Sequence, residues 1–256
     1  MAIAFDKLVA HFDAPGVRAI VLMGSHARGE AGPYSDIDLV RFTDGVDIPG
    51  ADSHLYHGHL LVVSNVPPGE VEKCFSEPEA ATNTIAGLRR TRVLLDRADY
   101  FAGIQVRARA FVWDEAMQGR ANRWASEMMV GNAEEARKGL EGLRRNDIGR
   151  MLNACFGFSW SMSRVMKVQR GVLLSGDNGL YDEVAQAMSE QPEWVSLRRA
   201  AFGIEDEHGQ ALSLREQVQA GLRLYALTAE LLAPVLLPEH RPLIEHTVSL
   251  IRGAVK

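Results

Sequence analysis

The chain has 256 residues, of which 46% are hydrophobic and 24% charged, a composition typical of a globular protein with a sizeable core. Its formal net charge of −5 argues against a dedicated nucleic-acid-binding domain, because such domains usually have a basic face. No apolar run reaches the roughly 20 residues that a membrane-spanning helix needs, which argues against a membrane protein.

The N-terminal sequence and the cysteines predict a cytoplasmic protein. The first residues, Met1 to Lys7, lack the basic start and the long apolar stretch of a secretory signal peptide. Cys74 and Cys155 lie far apart and do not have the spacing of metal ligands. This favours two reduced thiols, as is usual in the cytoplasm.

The first 99 residues alternate between helical and extended patterns. Apolar positions predict an amphipathic helix over 2–13, followed by buried strands over 17–23 and 36–42. A third strand is predicted over 54–64 and a last one over 92–96, with Gly- and Pro-rich turns between them. These elements predict a small mixed-sheet domain.

From about residue 100 the pattern changes to long helical periodicity. Helices are predicted over 100–119, 120–142, 146–170, 178–190, 192–202, 212–232 and 238–254. The simplest division is a mixed-sheet domain over 1–99 and an all-helical bundle domain over 100–256. The predicted fold class is therefore α+β.

The segment 23–39, which reads MGSHARGEAGPYSDIDL, is the most informative part of the sequence. An apolar strand stops at Gly24 and Ser25, whose turn offers unhindered backbone N–H groups to a phosphate. Asp36 and Asp38 project from one face of the next strand, because side chains alternate along a strand. Two such carboxylates can hold one divalent cation, and Mg²⁺ prefers oxygen ligands combined with substrate phosphates.

This segment resembles the signature of the nucleotidyltransferase superfamily, which includes DNA polymerase β and the antibiotic nucleotidyltransferases. The shared residues are Gly24-Ser25, Arg28-Gly29 and Ser35-Asp36-Ile37-Asp38-Leu39. The resemblance implies a mixed sheet with helices packed on it, Mg²⁺ as cofactor and a nucleoside triphosphate, with ATP expected, as substrate. It implies that Asp36 and Asp38 are catalytic metal ligands and that Gly24 and Ser25 contact the β- and γ-phosphates.

Two further residues of the segment are predicted to support nucleotide binding. Arg28 either contacts a phosphate through its planar guanidinium or pairs with a nearby surface acid, and the sequence leaves both open. Ser35 either starts the second strand or orients Asp36 through its hydroxyl, and the supporting role is our prediction.

The helical half resembles the kanamycin-type nucleotidyltransferases, which append a helical bundle to the catalytic domain. In that group a bundle helix supplies a glutamate as general base, with a lysine one turn later. Glu134 and Lys138 have this spacing and share one helix face. The resemblance implies Glu134 as the general base, Lys138 as a phosphate contact, and a homodimer with a shared cleft. Glu135 as base and a plain solvated helix face are the alternatives.

The sequence departs from the family pattern at one position. The family places a third carboxylate on the strand after the Asp-x-Asp hairpin, but residues 54–64 contain no Asp or Glu. Val62, Val63 or Ser64 stands where the acid is expected. His57 and His59 share a face of the predicted strand, but imidazole is a poor ligand for Mg²⁺. A one-metal reaction, a substituted ligand and a lapsed enzyme all remain open.

Two candidates remain in the second half. Phe156, Phe158 and Trp160 are predicted to lie in the bundle core, with a platform for stacking an acceptor as the alternative. Asp177 lies in a turn-forming stretch, 175–179, and its alternative role is contact with a cationic acceptor.

These observations together predict a Mg²⁺-dependent nucleotidyltransferase. It transfers a nucleoside monophosphate to a hydroxyl of a small acceptor, with an aminoglycoside or lincosamide antibiotic as the favoured class and antibiotic resistance as the implied role. A nucleic-acid acceptor is disfavoured by the charge. The alternatives are a protein AMP-transferase of toxin or antitoxin type and a non-catalytic nucleotide-binding protein.

Overall fold

The computed structural model describes residues 3–45, 48–204 and 211–255. The chain divides into two compact units. The first comprises Met1–Trp113 together with Leu173–Asp177, and the second comprises Asp114–Val172 together with Asn178–Lys256. A short segment from the second half of the sequence is therefore part of the first unit.

The first unit is built on a mixed sheet with five strands in the described part of the chain. The strands are β1 (Val17–Leu22), β2 (Ile37–Thr43), β3 (Ser53–Tyr56), β4 (His59–Val66) and β5 (Arg92–Asp96), in the spatial order β3-β4-β2-β1-β5. β1 is antiparallel to both β2 and β5, and β3 is antiparallel to β4. β2 and β4 are parallel, so the sheet is mixed, as the sequence predicts.

Helices cover both faces of this sheet. They are α1 (Phe5–Phe12), α2 (Gly24–Arg28), α3 (Pro68–Ser76), α4 (Pro78–Arg89) and α5 (Tyr100–Ala110). Leu8 and Phe12 of α1 bury one face together with Ile37 and Leu39 of β2. Val71, Leu88 and Phe101 of α3, α4 and α5 bury the other face together with Val40 and Phe42. Residue 2, where the first predicted helix begins, lies outside the described residues.

Side-chain alternation along β2 decides where its acidic residue points. Ile37 and Leu39 lie in the core on the α1 side, whereas Val40 and Phe42 lie in the core on the opposite side. Asp38 therefore points to the same side as Val40, at the start of β2, where the packed core gives way to a half-buried position.

The single strand predicted over 54–64 is instead a hairpin. β3 and β4 are joined at His57 and Gly58, which have positive φ angles of 49° and 85°. Positive φ at both central residues is typical of the tight turns that match the twist of antiparallel strands. The prediction that His57 and His59 share a strand face is therefore wrong, because His57 lies in the turn.

The second unit is helical throughout its described regular structure. Its helices are α6 (Glu115–Gly131), α7 (Ala133–Arg145), α8 (Ile148–Gln169), α9 (Leu180–Ala187), α10 (Pro192–Ala201), α11 (Leu214–Leu232) and α12 (Arg241–Ala254). α8 packs against α6, α7 and α11 and contributes the fully buried Phe158, which contacts the ring of Tyr225. A mixed-sheet unit and a helical unit confirm the predicted α+β class.

Capping explains where two helices begin. The Asp114 side chain accepts the Met117 N–H, so α6 begins at Glu115, and the helix break predicted between residues 119 and 120 is wrong. Asp147 accepts the Arg150 N–H and begins α8. The predicted boundary at residue 99 precedes α5, whereas the compact units divide after it; as a boundary between domains it stays a prediction.

None of the helices in the described ranges combines the length and the apolar content needed to cross a bilayer.

Candidate active site

The turn after β1 brings Gly24 into contact with Asp38. Gly24 has a φ of +63°, and a Cβ added to it would lie 2.1 Å from Oδ2 of Asp38. Nearby, the Met23 N–H donates to the Asp38 carbonyl oxygen at 2.9 Å, which holds the two chain segments together. Glycine is required here because any side chain would displace the carboxylate.

The same turn opens the short helix α2. Gly24 and Ser25 are its first two residues, and both are half-buried. Gly29 ends the helix in the left-handed conformation, with its N–H donating to the Ser25 carbonyl oxygen. The Gly-Ser and Arg-Gly pairs of the motif thus begin and end one turn of helix beside Asp38.

Asp36, directly before β2, and Asp38, the second residue of β2, are both half-buried. Ile37 and Leu39, which alternate with them, are fully buried in the core on the α1 side. The apolar residues therefore fix the orientation of the strand, and the two acids remain at the edge of the opposite core.

The surroundings of the Asp38 carboxyl disfavour its ionised form. Burial raises its pKa above the ordinary value of 3.8, and the negative charges of Asp36 and Asp177 raise the pKa further. The positive charges of His26 and Arg28 oppose this increase. Three carboxylates and two basic groups therefore share one small region of the first unit.

Arg28 and Ser35 have local partners in the structure. Nε of Arg28 lies 2.6 Å from Oε2 of Glu30, so the ion-pair alternative is realised. Ser35 Oγ accepts the Gly32 N–H at 2.9 Å, within the turn that precedes β2. Contact of either side chain with a nucleotide stays a prediction.

No pattern in the sequence indicates His26, which follows Ser25 directly. Its Nε2 atom is buried and has no hydrogen-bond partner within the described part of the chain. Its ring lies edge-on to that of His59, with 6.4 Å between the centroids. A buried nitrogen without a partner is costly, so a ligand atom that bonds to it would stabilise the site.

Asp177 is brought to this site by the segment that rejoins the first unit. The Leu174 N–H donates to the Thr82 carbonyl oxygen of α4 at 2.9 Å. A Cβ on Gly176 would lie 3.8 Å from Nη1 of Arg28. The sequence offered no means to pair Asp177 with Asp38, because they are remote in the chain.

Glu134 and Lys138 lie on α7 in the second unit. Nζ of Lys138 lies 2.9 Å from Oε1 of Glu134 and 2.8 Å from Oε1 of Glu135. These bonds, first that to Glu135, raise the pKa of Lys138. Glu135 rests against α8, where a Cβ on Gly157 would lie 3.3 Å from its Cγ, whereas Glu134 is mostly exposed. Their predicted catalytic roles stay predictions.

The aromatic residues of α8 separate into two groups. Phe158 is fully buried, whereas Phe156 is 73% and Trp160 46% exposed. Phe156 and Trp160 are four residues apart and share a helix face, whereas Phe158, two positions from each, lies on the opposite face. A single burial prediction therefore cannot hold for all three residues. The core prediction is right for Phe158 and wrong for Phe156, and the Trp160 ring retains an edge contact with Phe202.

The donor set fits Mg²⁺ bound together with a nucleotide better than a protein-only cage. Within the described ranges, no three His, Cys, Asp or Glu side chains are arranged as ready metal ligands. Mg²⁺ often takes only one or two carboxylates and completes its shell with water and substrate phosphates. Asp36 and Asp38 fit such a pair, since both are half-buried oxygen donors and the charge of Asp36 acts on Asp38.

Comparisons with known proteins identify the family of the domain that contains this motif. Residues 6–90 match the family model of the nucleotidyltransferase domain. The fold is similar to the crystal structure of a nucleotidyltransferase-like protein from Exiguobacterium sibiricum 255-15, with a TM-score of 0.50 and 12% identity over 89% of this chain and 72% of that one. No curated protein sequence matches the chain significantly. The first unit therefore contains a nucleotidyltransferase domain, of the superfamily that the Gly-Ser and Asp-x-Asp motif resembles.

Proposed function

We propose that this protein, whose first unit contains a nucleotidyltransferase domain, transfers a nucleoside monophosphate from a triphosphate to a hydroxyl of a small acceptor. ATP is the proposed donor and Mg²⁺ the proposed cofactor. The observation that supports this best is the packing of the Asp38 carboxylate against Gly24, 2.1 Å from where a Cβ would lie. It joins the Gly-Ser turn and the Asp-x-Asp strand into one site.

The protein's own residues have distinct roles in the proposed reaction. Asp36 and Asp38 would hold Mg²⁺, which when bound would orient the triphosphate and neutralise the negative charge that develops in the reaction. Gly24 and Ser25 contact the β- and γ-phosphates through the turn that opens α2. The raised pKa of Asp38 favours this assignment, because a carboxylate crowded by other negative charges gains most from a bound cation.

Four further residues have proposed roles around the same reaction. Arg28 and Ser35 support the phosphates, although their partners in this structure are Glu30 and the Gly32 N–H. Glu134 takes the proton of the acceptor hydroxyl, and Lys138, its ion-pair partner, contacts a phosphate.

The acceptor and the setting are proposed from the chemistry of the chain. An aminoglycoside or lincosamide antibiotic is the favoured acceptor, and the net charge of −5 suits a small cationic molecule better than a nucleic acid. The free cysteines, Cys74 and Cys155, are consistent with the proposed cytoplasmic location. A homodimer is proposed only from the resemblance to the kanamycin-type enzymes.

A nucleotide-binding protein without turnover is the second candidate. Val62 is the partner of Asp38 in the parallel pairing of β2 and β4, so an apolar side chain lies where a further acid is expected. Transfer of AMP to a protein remains a third alternative, and no contact among the residues that the structure describes favours it over a small acceptor.

Binding and turnover separate these candidates. We expect triphosphate binding that requires Mg²⁺ and weakens about tenfold or more when Asp36 or Asp38 is changed to Asn. Calorimetric titration of ATP with and without Mg²⁺ measures this. Asp52→Asn, an exposed acid before β3, is the matched control and retains wild-type affinity.

Pyrophosphate release then tests the transfer. Release that depends on one antibiotic in an acceptor panel supports the proposed function, and labelled nucleotide on a protein supports the third alternative. ATP binding without release for any acceptor supports the non-catalytic candidate. Absence of Mg²⁺-dependent ATP binding contradicts all three.

A further inference from the structure

β4 provides no carboxylate beside Asp38. Its residues, His59–Val66, include neither Asp nor Glu. Val62 is the Cα partner of Asp38, and paired residues of adjacent strands point to the same side of the sheet. The half-buried Val62 side chain therefore occupies the position nearest Asp38 on this strand. A third acid can reach the site only from another part of the chain.

The segment Leu173–Asp177 is fixed to the first unit at two points. Leu174 is 3% exposed, and its N–H donates to the Thr82 carbonyl oxygen at 2.9 Å. Gly176 lies against Arg28, because a Cβ on Gly176 would be 3.8 Å from Nη1 and 3.9 Å from Nη2 of the guanidinium. Arg28 belongs to the motif helix α2, so these contacts deliver the next residue, Asp177, to the motif.

The charges around Asp38 show that Asp177 is close enough to act on it. The negative charges of Asp36 and Asp177 both raise the pKa of Asp38, in addition to the effect of burial. The buried Nε2 of His26, in the same short helix as Arg28, has no hydrogen-bond partner among the described residues.

We propose that Asp177 supplies the third carboxylate of the metal and triphosphate site, in place of the acid that β4 lacks. This inference rests on the proposed function and deepens it, because it adds a residue to the same site. The acid comes from the segment that rejoins the first unit rather than from the sheet. No three such side chains in the described residues form a ready metal cage, so the proposed ligand set would also include the phosphates of the nucleotide.

Metal affinity, rather than activity, is the direct test. Free Mn²⁺ is measured by electron paramagnetic resonance in the presence of α,β-methylene-ATP, which binds but cannot transfer its nucleotidyl group. We expect Asp177→Asn to weaken Mn²⁺ binding about 10- to 100-fold. The control, Asp182→Asn, removes an exposed acid from the first turn of α9 and leaves the affinity unchanged.

A charge swap makes the test specific to the site. Val62→Asp in the Asp177→Asn background returns a carboxylate to the strand position beside Asp38, and we expect it to recover most of the lost affinity. A melting temperature for Asp177→Asn at or above that of the wild type is also expected, because a repulsive charge has been removed. A purely structural role for Asp177 predicts the opposite change in melting temperature.

Three results overturn the proposal. Wild-type Mn²⁺ affinity in Asp177→Asn, together with loss in Asp38→Asn, removes Asp177 from the site but keeps the proposed function. A double variant that folds but binds no better than Asp177→Asn shows that the two positions are not equivalent. No Mn²⁺-dependent nucleotide binding by the wild type removes both proposals.

Discussion

Replacing Gly24 by alanine tests the contact on which the site depends. An alanine at the φ of +63° costs about 1–2 kcal/mol of folding free energy, because its Cβ crowds the backbone in the left-handed region. Its Cβ would also lie 2.1 Å from Oδ2 of Asp38, so the carboxylate must move. Overpacking of this kind costs about 1–3 kcal/mol more. We therefore expect Gly24→Ala to lose about 2–5 kcal/mol.

Gly29→Ala is a closely matched control for this variant. Gly29 has a similar φ of +74°, but among the described residues beyond its chain neighbours no atom lies within 4 Å of an added Cβ. Gly29→Ala is therefore expected to lose only the folding free energy due to the left-handed backbone, about 1–2 kcal/mol. The difference between the two variants isolates the contact with Asp38, since both lose a glycine from the unfolded chain.

Urea unfolding and calorimetric titration of ATP with Mg²⁺ measure the two consequences. We expect Gly24→Ala to bind at least about tenfold more weakly than Gly29→Ala, because displacement of Asp38 removes a metal ligand from its place. Equal stability and equal affinity in the two variants would refute the reasoning, since Asp38 would then not depend on the space that Gly24 leaves.

Two further predictions concern the packing and the pH dependence. On α8, Phe158 is fully buried, so we expect Phe158→Ala to lower the free energy of unfolding by about 3–5 kcal/mol, measured with urea. Phe156 is exposed, so we expect Phe156→Ala to change it by less than about 0.5 kcal/mol. Similar losses in the two variants would contradict this orientation of the helix. In the first unit, the hydrogen bond from Arg97 lowers the pKa of Asp13. The ionised Asp13 therefore stabilises the folded state fully at a pH above 3.8, the ordinary pKa of the group, and this stabilisation is lost as the pH falls through the lowered pKa of the folded state. Asp13→Asn should therefore be less stable than the wild type at about pH 7, with a difference that shrinks towards about pH 3, and a constant difference would exclude the ion pair as its cause.

Local patterns were sufficient to predict the class of the fold and most of its strands. Apolar runs bounded by Gly and Pro indicate β1 and β2 within a residue or two, and the helical periodicity after residue 100 indicates the second unit. Turn and cap chemistry is also local, and it places two boundaries that the apolar pattern misses. The His57-Gly58 turn and the Asp114 cap each divide an element that hydrophobicity alone makes continuous.

The sequence by itself determined the part of the candidate site that lies within one short stretch. Gly24, Ser25, Asp36 and Asp38 could be grouped because a strand, a turn and a second strand bring neighbouring residues together. The register of β4, which places Val62 beside Asp38, could not be obtained in this way, because strand pairing depends on packing across the sheet.

Only the tertiary structure brought Asp177 to the motif. The approach depends on a backbone hydrogen bond between Leu174 and Thr82 and on the packing of Gly176 against Arg28, all between residues remote in sequence. Periodicity and motif spacing report neighbours along a chain, whereas charges interact through space. The sequence therefore showed that β4 has no acidic residue, and the fold indicated Asp177, the acid that we propose in its place.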